Sequence, residues 1–190
     1  ATFENMEVVS SKELGGRLDI PSTQVRKDLS YYGEFGRRGV GYDVQSLKKS
    51  VGKILGVNRS WSAVLVGAGN LGRALVNYQG FRKMGLEISN VLDADLNKIG
   101  NKVGSITVQS MKELETVVKE NGTKLGIMTV PAEAAQQVAD QLVEAGVKAI
   151  WNFAPTRLYL PDDVVVRNED LAVGIVSLIY HLSWQEELEE

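Results

Sequence analysis

The chain has 190 residues and no cysteine, with 44% hydrophobic and 24% charged residues and a net charge of −3. Such a composition is typical of one or two soluble globular domains, and the lack of thiols excludes disulfides, thiolate metal sites and cysteine nucleophiles. Because no apolar run is long enough to span a membrane and the first residues do not resemble a secretion signal, we expect a cytoplasmic protein with no membrane partner.

The charge is divided unevenly along the chain. Residues 1–59 contain ten Lys and Arg against seven Asp and Glu, a net charge of +3, whereas the remainder carries −6. A basic module joined to an acidic one favours a polyanionic partner for the first module. Solvated surface charge is the alternative that composition leaves open.

A first helix is predicted to begin at Ser10. Glu13 lies three residues later, which is the spacing of a capping box, and the helix should end near Leu18–Asp19. A turn through Ile20–Pro21 then leads to a second helix.

The second helix is predicted to have Ser22 as its N-cap and to place Val25, Leu29 and Tyr32 on one apolar face. Gln can read adenine edges, and Arg or Lys can read guanine or contact phosphate. The two helices therefore suggest a helix-turn-helix that binds DNA, with an ordinary amphipathic surface helix as the alternative. The candidate DNA contacts of this helix are Ser22, Thr23, Gln24, Arg26, Lys27, Ser30 and Tyr31.

Residues 33–42 are predicted to form a β-hairpin wing. Four glycines occur within nine residues around Arg37 and Arg38, and a strand-like run follows at 40–44. Arginines at a glycine-bent tip are suited to a DNA minor groove. An amphipathic helix over 46–55 completes a winged helix, and three apolar side chains should anchor its wing: Phe35, Val40 and Tyr42.

The next segment has the pattern of a dinucleotide-binding βαβ unit. The apolar run at 64–66 leads into a G-x-G-x-x-G turn and an apolar-periodic helix. Gly67 should make the tight turn, Gly69 should let the backbone approach a pyrophosphate, and Gly72 should allow close helix packing. The candidate phosphate-binding residues are Gly67, Ala68, Gly69, Asn70, Leu71 and Gly72.

Asp93 is the candidate ribose ligand. It follows Gly72 by 21 residues and ends a strand-like run at 88–92. Its carboxylate would accept a bond from the adenosine ribose and repel a 2′-phosphate, which favours NAD(H) over NADP(H). Asp95 is a competitor for this role, although it could instead cap the following helix.

Strands and helices continue to alternate after Asp93, which predicts a Rossmann-like, doubly wound parallel sheet in an α/β protein. Helices are expected over 111–120 and 132–145, and strands over 124–130 and 148–154. The ligand should lie at the carboxyl ends of the strands. Asn152 could face this crevice or be a buried structural amide. The residues expected at this edge are Thr129, Val130, Pro131, Asn152, Phe153 and Ala154.

The last helix is apolar around much of its circumference. A strand at 164–166 precedes it, and Asn168–Asp170 should cap its start. One sheet face does not need so much apolar surface, so we expect this helix to pack against a second subunit, in an arrangement compatible with exchange between protomers.

Residues suited to catalysis are scarce. The single histidine, His181, lies among apolar neighbours in the last helix, which is typical of a core or interface position. No Ser-x-x-x-Lys or Tyr-x-x-x-Lys pair occurs near the strand ends, and about 35 residues remain after the dinucleotide fold is built. We therefore expect no catalytic residues, no metal site and no enzymatic activity. The alternatives are a small NAD-dependent oxidoreductase with a basic N-terminal extension and a regulator that binds CoA or another nucleotide.

The sequence resembles the bacterial redox-sensing transcriptional repressors of the Rex family. The resemblance covers nearly the whole chain in order and is carried by the segments 24–33 (QVRKDLSYYG), 39–42 (GVGY), 67–72 (GAGNLG), 129–131 (TVP) and 152–155 (NFAP). It implies a homodimer with an N-terminal winged helix and a C-terminal Rossmann domain. It also implies that the protein binds palindromic operator DNA and releases it when NADH occupies the Rossmann site.

The resemblance also implies roles for individual residues. Residues 67–72 and Asp93 would bind the dinucleotide, and residues 129–131 and 152–154 would approach its nicotinamide end. Asp170 would begin a domain-swapped helix and join a switch network, with Tyr78 as a partner.

The expected domains are a winged helix at 1–58, an NAD(H)-binding Rossmann domain at 60–168 and a dimerisation helix at 169–190. Members of the family usually carry one further helix before the segment that matches residues 7–10. The resemblance therefore implies that the winged helix of this sequence lacks its first helix.

Overall fold

The computed structural model describes residues 6–37 and 39–189. The chain divides into two compact units, Ala1–Ser60 and Trp61–Glu190. Arg38, one of the two predicted wing arginines, lies outside the described residues.

Two helices open the N-terminal unit, α1 (Ser11–Leu18) and α2 (Ser22–Ser30). The predicted capping box is confirmed, because Oγ of Ser10 accepts the Glu13 N–H at 3.1 Å and the Glu13 carboxylate accepts the Ser10 N–H at 2.8 Å. A Cβ at Gly15 would lie 2.5 Å from the carbonyl oxygen of Ile20. The turn between the helices can therefore pack this closely only against glycine.

Two details of α2 differ from the prediction. Its N-cap is Pro21 and not Ser22, because Pro21 has extended backbone and its carbonyl accepts the N–H groups of Gln24 and Val25. Tyr32 lies beyond the end of the helix and is 65% exposed, so its assignment to the apolar face was wrong. Val25 is buried as expected.

Among the described residues, three short antiparallel strands and a third helix complete this unit: β1 (Val8–Val9), β2 (Gly36–Arg37), β3 (Gly41–Asp43) and α3 (Val44–Ile54). Their spatial order in the sheet is β1-β3-β2. Helix α3 begins two residues before the predicted Ser46, because the Asp43 carboxylate caps it by accepting the Ser46 N–H at 2.7 Å. Val40 is exposed in the hairpin turn and does not anchor the wing, whereas Phe35 and Tyr42 are half-buried.

The C-terminal unit contains a seven-stranded sheet within the described residues, formed by β4 (Trp61–Val66), β5 (Leu86–Asp93), β6 (Lys102–Val103), β7 (Ile106–Ser110), β8 (Leu125–Met128), β9 (Ala149–Asn152) and β10 (Val165–Asn168). Their order is β10-β9-β8-β4-β5-β7-β6, and only β6 runs antiparallel to its neighbour. The chain starts in the centre, moves to one edge and then returns to build the other. This is the predicted doubly wound sheet, and its topological switch point lies between β4 and β8.

Helices cover both faces of this sheet: α4 (Asn70–Val76), α5 (Gly80–Lys83), α6 (Leu114–Glu120) and α7 (Ala132–Ala145). Val64 and Val66 of β4 pack in one core cluster with residues of α6 and α7. Ala63 and Leu65 pack in a second cluster with residues of α4 and α5. Because successive strand residues face opposite sides, both faces of a central strand are apolar and buried.

The last helix is α8 (Leu171–Glu189), and over residues 171–184 it carries apolar side chains on all sides. Oδ1 of Asp170 accepts the Ala172 N–H at 2.8 Å, which confirms the predicted cap. The large apolar side chains of residues 171–184 are between 54% and 70% exposed. None of the described helices combines the length and apolarity needed to cross a membrane.

Candidate nucleotide and DNA sites

The glycine turn lies at the carboxyl end of β4. Gly67 has a φ of +107°, and a Cβ there would lie 2.6 Å from the carbonyl oxygen of Thr129. A Cβ at Gly72 would lie 2.0 Å from the Gly67 carbonyl oxygen, whereas at Gly69 it would meet no atom within 4 Å. Gly67 and Gly72 are therefore required by the protein's own packing, while the space beside Gly69 is open.

Asp93, at the end of β5, fixes the base of this turn. Its Oδ2 accepts the Ala68 N–H at 2.7 Å and a bond from Nζ of Lys98 at 3.0 Å, and its Oδ1 accepts the Asp95 N–H at 2.9 Å. Asp93 is only 7% exposed. Oδ1 of Asp95 accepts the Asn97 N–H at 2.9 Å, so the competitor begins a turn over residues 96–100, and the helix that it was expected to cap is not formed there.

The pKa of the Asp93 carboxyl reflects opposing effects. Burial raises this pKa, but the N–H groups of Asp95 and Ala68 and the Lys98 ammonium together lower it below the ordinary value. Because the pKa is lower in the folded chain, the carboxylate stabilises the fold above its unfolded pKa, and this stabilisation is lost as pH falls through the folded pKa.

Replacing Asp93 by Asn should make stability less dependent on pH. At pH 7 we expect Asp93→Asn to be less stable by about 2 kcal/mol, because charge-assisted bonds to the carboxylate are lost. The deficit should shrink below about pH 4, because the Asp93 carboxyl of the unfolded wild type then takes up a proton, and it should vanish as pH falls through the lower pKa of the folded chain. Thermal unfolding of both proteins between pH 7 and pH 3 measures this difference, and a deficit that stays constant over this range would contradict the assignment.

A cavity of about 440 Å³ opens at the same edge of the sheet. Eight predicted cofactor-binding residues line it: Gly67, Gly69, Leu71, Asp93, Thr129, Val130, Pro131 and Phe153. Five others are not among its lining residues: Ala68, Asn70, Gly72, Asn152 and Ala154. The cavity thus joins the glycine turn, the carboxylate and the ends of β8 and β9, as the switch-point argument predicts.

Sequence reasoning missed several residues that line this cavity: Ala94, Lys98, Met111, Ala134 and Val138. Of these, only Lys98 carries a charge. A usable signal was present, since a lysine five residues beyond a strand-ending aspartate can fold back onto it through a turn.

Asn152 is fully buried and does not face the crevice, so that expectation is corrected. Its Nδ2 donates to the carbonyl oxygens of Ala154 and Thr156 and to Oδ1 of Asn168, and its Oδ1 accepts the Ala154 N–H. The amide therefore ties β9 to the following loop and to β10. This is the buried structural role that the sequence left as the alternative.

Tyr78 begins a chain of aromatic rings that ends at the cavity. It contacts Phe81 edge-on at 4.9 Å, Phe81 contacts Trp151 at 5.7 Å, and Trp151 contacts Phe153 at 4.7 Å between ring centroids. No hydrogen bond joins Tyr78 to Asp170 among the described residues. The switch contact between these two side chains therefore stays a prediction.

The polar face of α2 is exposed. Thr23, Gln24, Arg26, Lys27 and Ser30 are exposed, as is Tyr31, while Ser22 is half-buried. Nε2 of Gln24 donates to Oδ1 of Asp28 at 2.6 Å. The amide oxygen of Gln24 therefore points away from the Asp28 carboxylate. Arg26 donates to the hydroxyl oxygens of Ser11 at 2.9 Å and Ser22 at 3.4 Å, so it is held against α1.

A cleft with a volume of about 820 Å³ lies between α2 and the hairpin. Arg26 and Ser30 line one side, and exposed Arg37, at the end of β2, lines the other. A polar helix beside a basic hairpin is the arrangement in which the helix enters a groove and the wing reaches the flanking DNA.

The part of the chain that the structure describes contains no cluster of three His, Asp or Glu residues that could hold a metal ion. His181 is exposed on α8 beside the ring of Tyr180. It is therefore not a core residue of this chain, and an interface position for it stays a prediction.

Two family models match the chain. Residues 58–156 match the family described as "CoA binding domain", and residues 2–30 match the family described as "Putative DNA-binding protein N-terminus". The first match spans the glycine turn and Asp93, and the second spans α1 and α2.

Curated relatives match over almost the whole chain. A protein of Carboxydothermus hydrogenoformans named "Redox-sensing transcriptional repressor Rex" is 50% identical over 94% of this chain and 86% of its own length. The protein of the same name from Roseiflexus sp. is 46% identical, over 95% of this chain and 82% of its own length.

Solved structures agree with these relatives. The Rex-family repressor RSP in complex with β-NAD⁺ and operator DNA has a TM-score of 0.91 and 35% identity, and the match covers 98% of this chain and 86% of that one. RSP in complex with β-NADH has a TM-score of 0.85 and 34% identity, over 98% of this chain and 87% of that one.

Proposed function

The chain belongs to the Rex family of redox-sensing transcriptional repressors, and its residues 58–156 to the CoA binding domain family; we propose that it represses transcription in response to the NADH/NAD⁺ ratio. It binds operator DNA when NADH is scarce and releases the DNA when NADH occupies its Rossmann unit. The observation that carries this proposal is the match of both units to a repressor solved with NAD⁺ and operator DNA.

Residues 1–58, within the N-terminal unit, are the DNA-binding domain in this proposal. The exposed face of α2 supports a role in reading the major groove, with Gln24, Arg26 and Lys27 as the contacts. Arg37 and Arg38 at the wing would enter the adjoining minor groove.

The Rossmann unit, residues 60–168, holds the nucleotide. The glycine turn supports a pyrophosphate beside Gly69, and Asp93 supports a ribose at the end of β5. The nicotinamide would then lie toward residues 129–131 and the ring of Phe153, at the ends of β8 and β9.

The working form is a homodimer. Residues 169–190 form the dimerisation helix, and the exposed apolar surface on every side of α8 supports burial against a second copy. A palindromic operator requires two recognition helices related by two-fold symmetry. We also place the protein in the cytoplasm, since an operator-binding repressor must reach the chromosome.

The nucleotide acts as a signal in this proposal and is not turned over. The curated relatives are named as repressors, which makes this chain a regulator. A small NAD-dependent oxidoreductase is the alternative, and turnover of bound NADH with an acceptor would support it. CoA binding is a second alternative, favoured by the family match over residues 58–156.

The mechanism depends on differential affinity. NADH and NAD⁺ differ by one charge and by the planarity of one ring, and a ligand shifts an equilibrium only as far as its affinities for the two states differ. A hundredfold change in operator affinity requires about 2.7 kcal/mol. In this proposal NADH favours a dimer whose recognition helices no longer match successive major grooves.

Operator affinity at varied NADH/NAD⁺ ratio tests the proposal. The probe is a palindromic duplex selected in vitro with the protein and NAD⁺, and total nucleotide is held constant. We expect the affinity to fall about 100-fold as NADH replaces NAD⁺, while CoA at the same concentration has no effect.

Arg37→Ala combined with Arg38→Ala serves as the control, because it should remove DNA binding and leave NADH binding intact. An operator affinity that does not change with the ratio would refute NADH sensing. Release by CoA alone would instead support the second alternative.

A further inference from the structure

Lys98 lies in the nucleotide cavity beside Asp93, although the glycine motif gives it no role. Its Nζ is 3.0 Å from Oδ2 of Asp93 and 3.9 Å from Oδ2 of Asp95, and its side chain is 35% exposed. Asp93 is nearly buried, and both residues line the cavity together with Gly67 and Gly69. A ribose bound at Asp93 therefore meets a positive charge as well as a negative one.

The Asp93 carboxylate already accepts three hydrogen bonds. Oδ2 takes the Ala68 N–H and the Lys98 ammonium, and Oδ1 takes the Asp95 N–H. A carboxylate has about four acceptor positions, so about one, on Oδ1, remains for a ribose hydroxyl. The ammonium has further N–H donors beside the same oxygens, which makes Lys98 a second partner for the ribose.

We propose that Lys98 is a specificity-determining residue that weakens the exclusion of a 2′-phosphate by Asp93. An unpaired carboxylate repels the extra phosphate of NADP(H), but here the ammonium offsets the negative charge and offers the phosphate a cationic donor. This inference rests on the proposed function, in which the cavity holds NAD(H). It follows that removing the lysine charge sharpens the selection of NADH over NADPH.

A purely structural role for Lys98 gives a different expectation. If the ammonium only fixed the turn that carries Asp93, its loss would weaken the binding of NADH and NADPH by the same factor. The two nucleotides differ only in the 2′-phosphate, so the ratio of their dissociation constants separates the two roles.

The experiment titrates NADH and NADPH by fluorescence into the wild type, Lys98→Met and Lys98→Arg. We expect Lys98→Met to raise the ratio of Kd for NADPH to Kd for NADH by about tenfold. Lys98→Arg keeps the positive charge and should stay within about threefold of the wild-type ratio.

Lys102→Met is the matched control, because Lys102 is an exposed residue of β6 that is not among the cavity-lining residues. It should leave both dissociation constants unchanged. Thermal unfolding of each variant establishes that it is folded at the temperature of the titration.

Asp93→Asn supplies an independent second arm. The side chain introduced by this substitution is neutral and no longer offsets the Lys98 charge. The ratio of Kd for NADPH to Kd for NADH should therefore fall below the wild-type value. A ratio that is unchanged or lower in Lys98→Met, or one that does not fall in Asp93→Asn, overturns the proposal. If the wild-type chain binds neither nucleotide, the proposed function itself is overturned, which is a different result from an unchanged ratio.

Discussion

Gly69→Ala should fold as well as the wild type and lose most of its affinity for NADH. Gly69 has φ −76° and ψ −168°, which is extended backbone that alanine adopts freely. The added Cβ meets no atom within 4 Å in the free protein, but it projects where the backbone lines the cavity. We expect the Kd for NADH to rise roughly 30-fold, about 2 kcal/mol, with the melting temperature little changed.

Gly72→Ala should behave in the opposite way. Its Cβ would lie 2.0 Å from the Gly67 carbonyl oxygen and 2.9 Å from Oγ1 of Thr129, so α4 must move away from the turn. Such overpacking costs about 1–3 kcal/mol or more. We expect this loss to appear first in thermal unfolding.

Gly16→Ala is the matched control for both variants, since Gly16 lies in α1 with open space around it. It should change neither NADH affinity nor the melting temperature of the Rossmann unit. NADH titration and calorimetry on the same samples measure both quantities. Unchanged NADH affinity in Gly69→Ala would mean that the pyrophosphate does not approach the backbone here.

The elements that local chemistry controls could be predicted from the sequence. The capping box of Ser10 and Glu13 depends on residues close together in the chain, and the glycine turn is marked by the spacing of its own glycines; both are present in the structure. The doubly wound sheet followed from the alternation of apolar strands and helices, because a parallel sheet needs cover on both faces.

Residues whose contacts depend on how a loop or turn returns were harder to place. Asn152 ends an internal strand, but whether its amide faces the crevice depends on where the loop and β10 return, and Asn168 supplies one of its partners. Lys98 contacts Asp93 only because residues 95–99 turn back toward the strand. No periodicity in the sequence encodes either contact.

Charged substitutions on the exposed apolar surface of α8 should prevent the chain from forming a dimer. Ile175 and Ile179 lie one helical turn apart and are 54% and 55% exposed in the single chain. Burying glutamate at both positions in a subunit interface would place two unpaired charges among apolar groups. We expect Ile175→Glu with Ile179→Glu to produce a monomer in analytical ultracentrifugation.

The affinity of this double variant for the operator should fall because it no longer forms a dimer. A palindromic site is bound by two recognition helices at once, and the loss of the second contact lowers the apparent affinity by about 100-fold or more. NADH binding should persist, because the cavity is lined by residues 66–153 alone and does not include α8.

The matched control is Leu96→Glu with Tyr159→Glu, which adds the same charges at exposed apolar positions outside α8. This variant should remain a dimer and bind the operator like the wild type when assayed without nucleotide. A dimer that survives the changes at Ile175 and Ile179 would show that α8 is not the main contact between subunits. The exposed apolar surface of α8 would then need a different partner, because a helix apolar on every side is otherwise unfavourable in water.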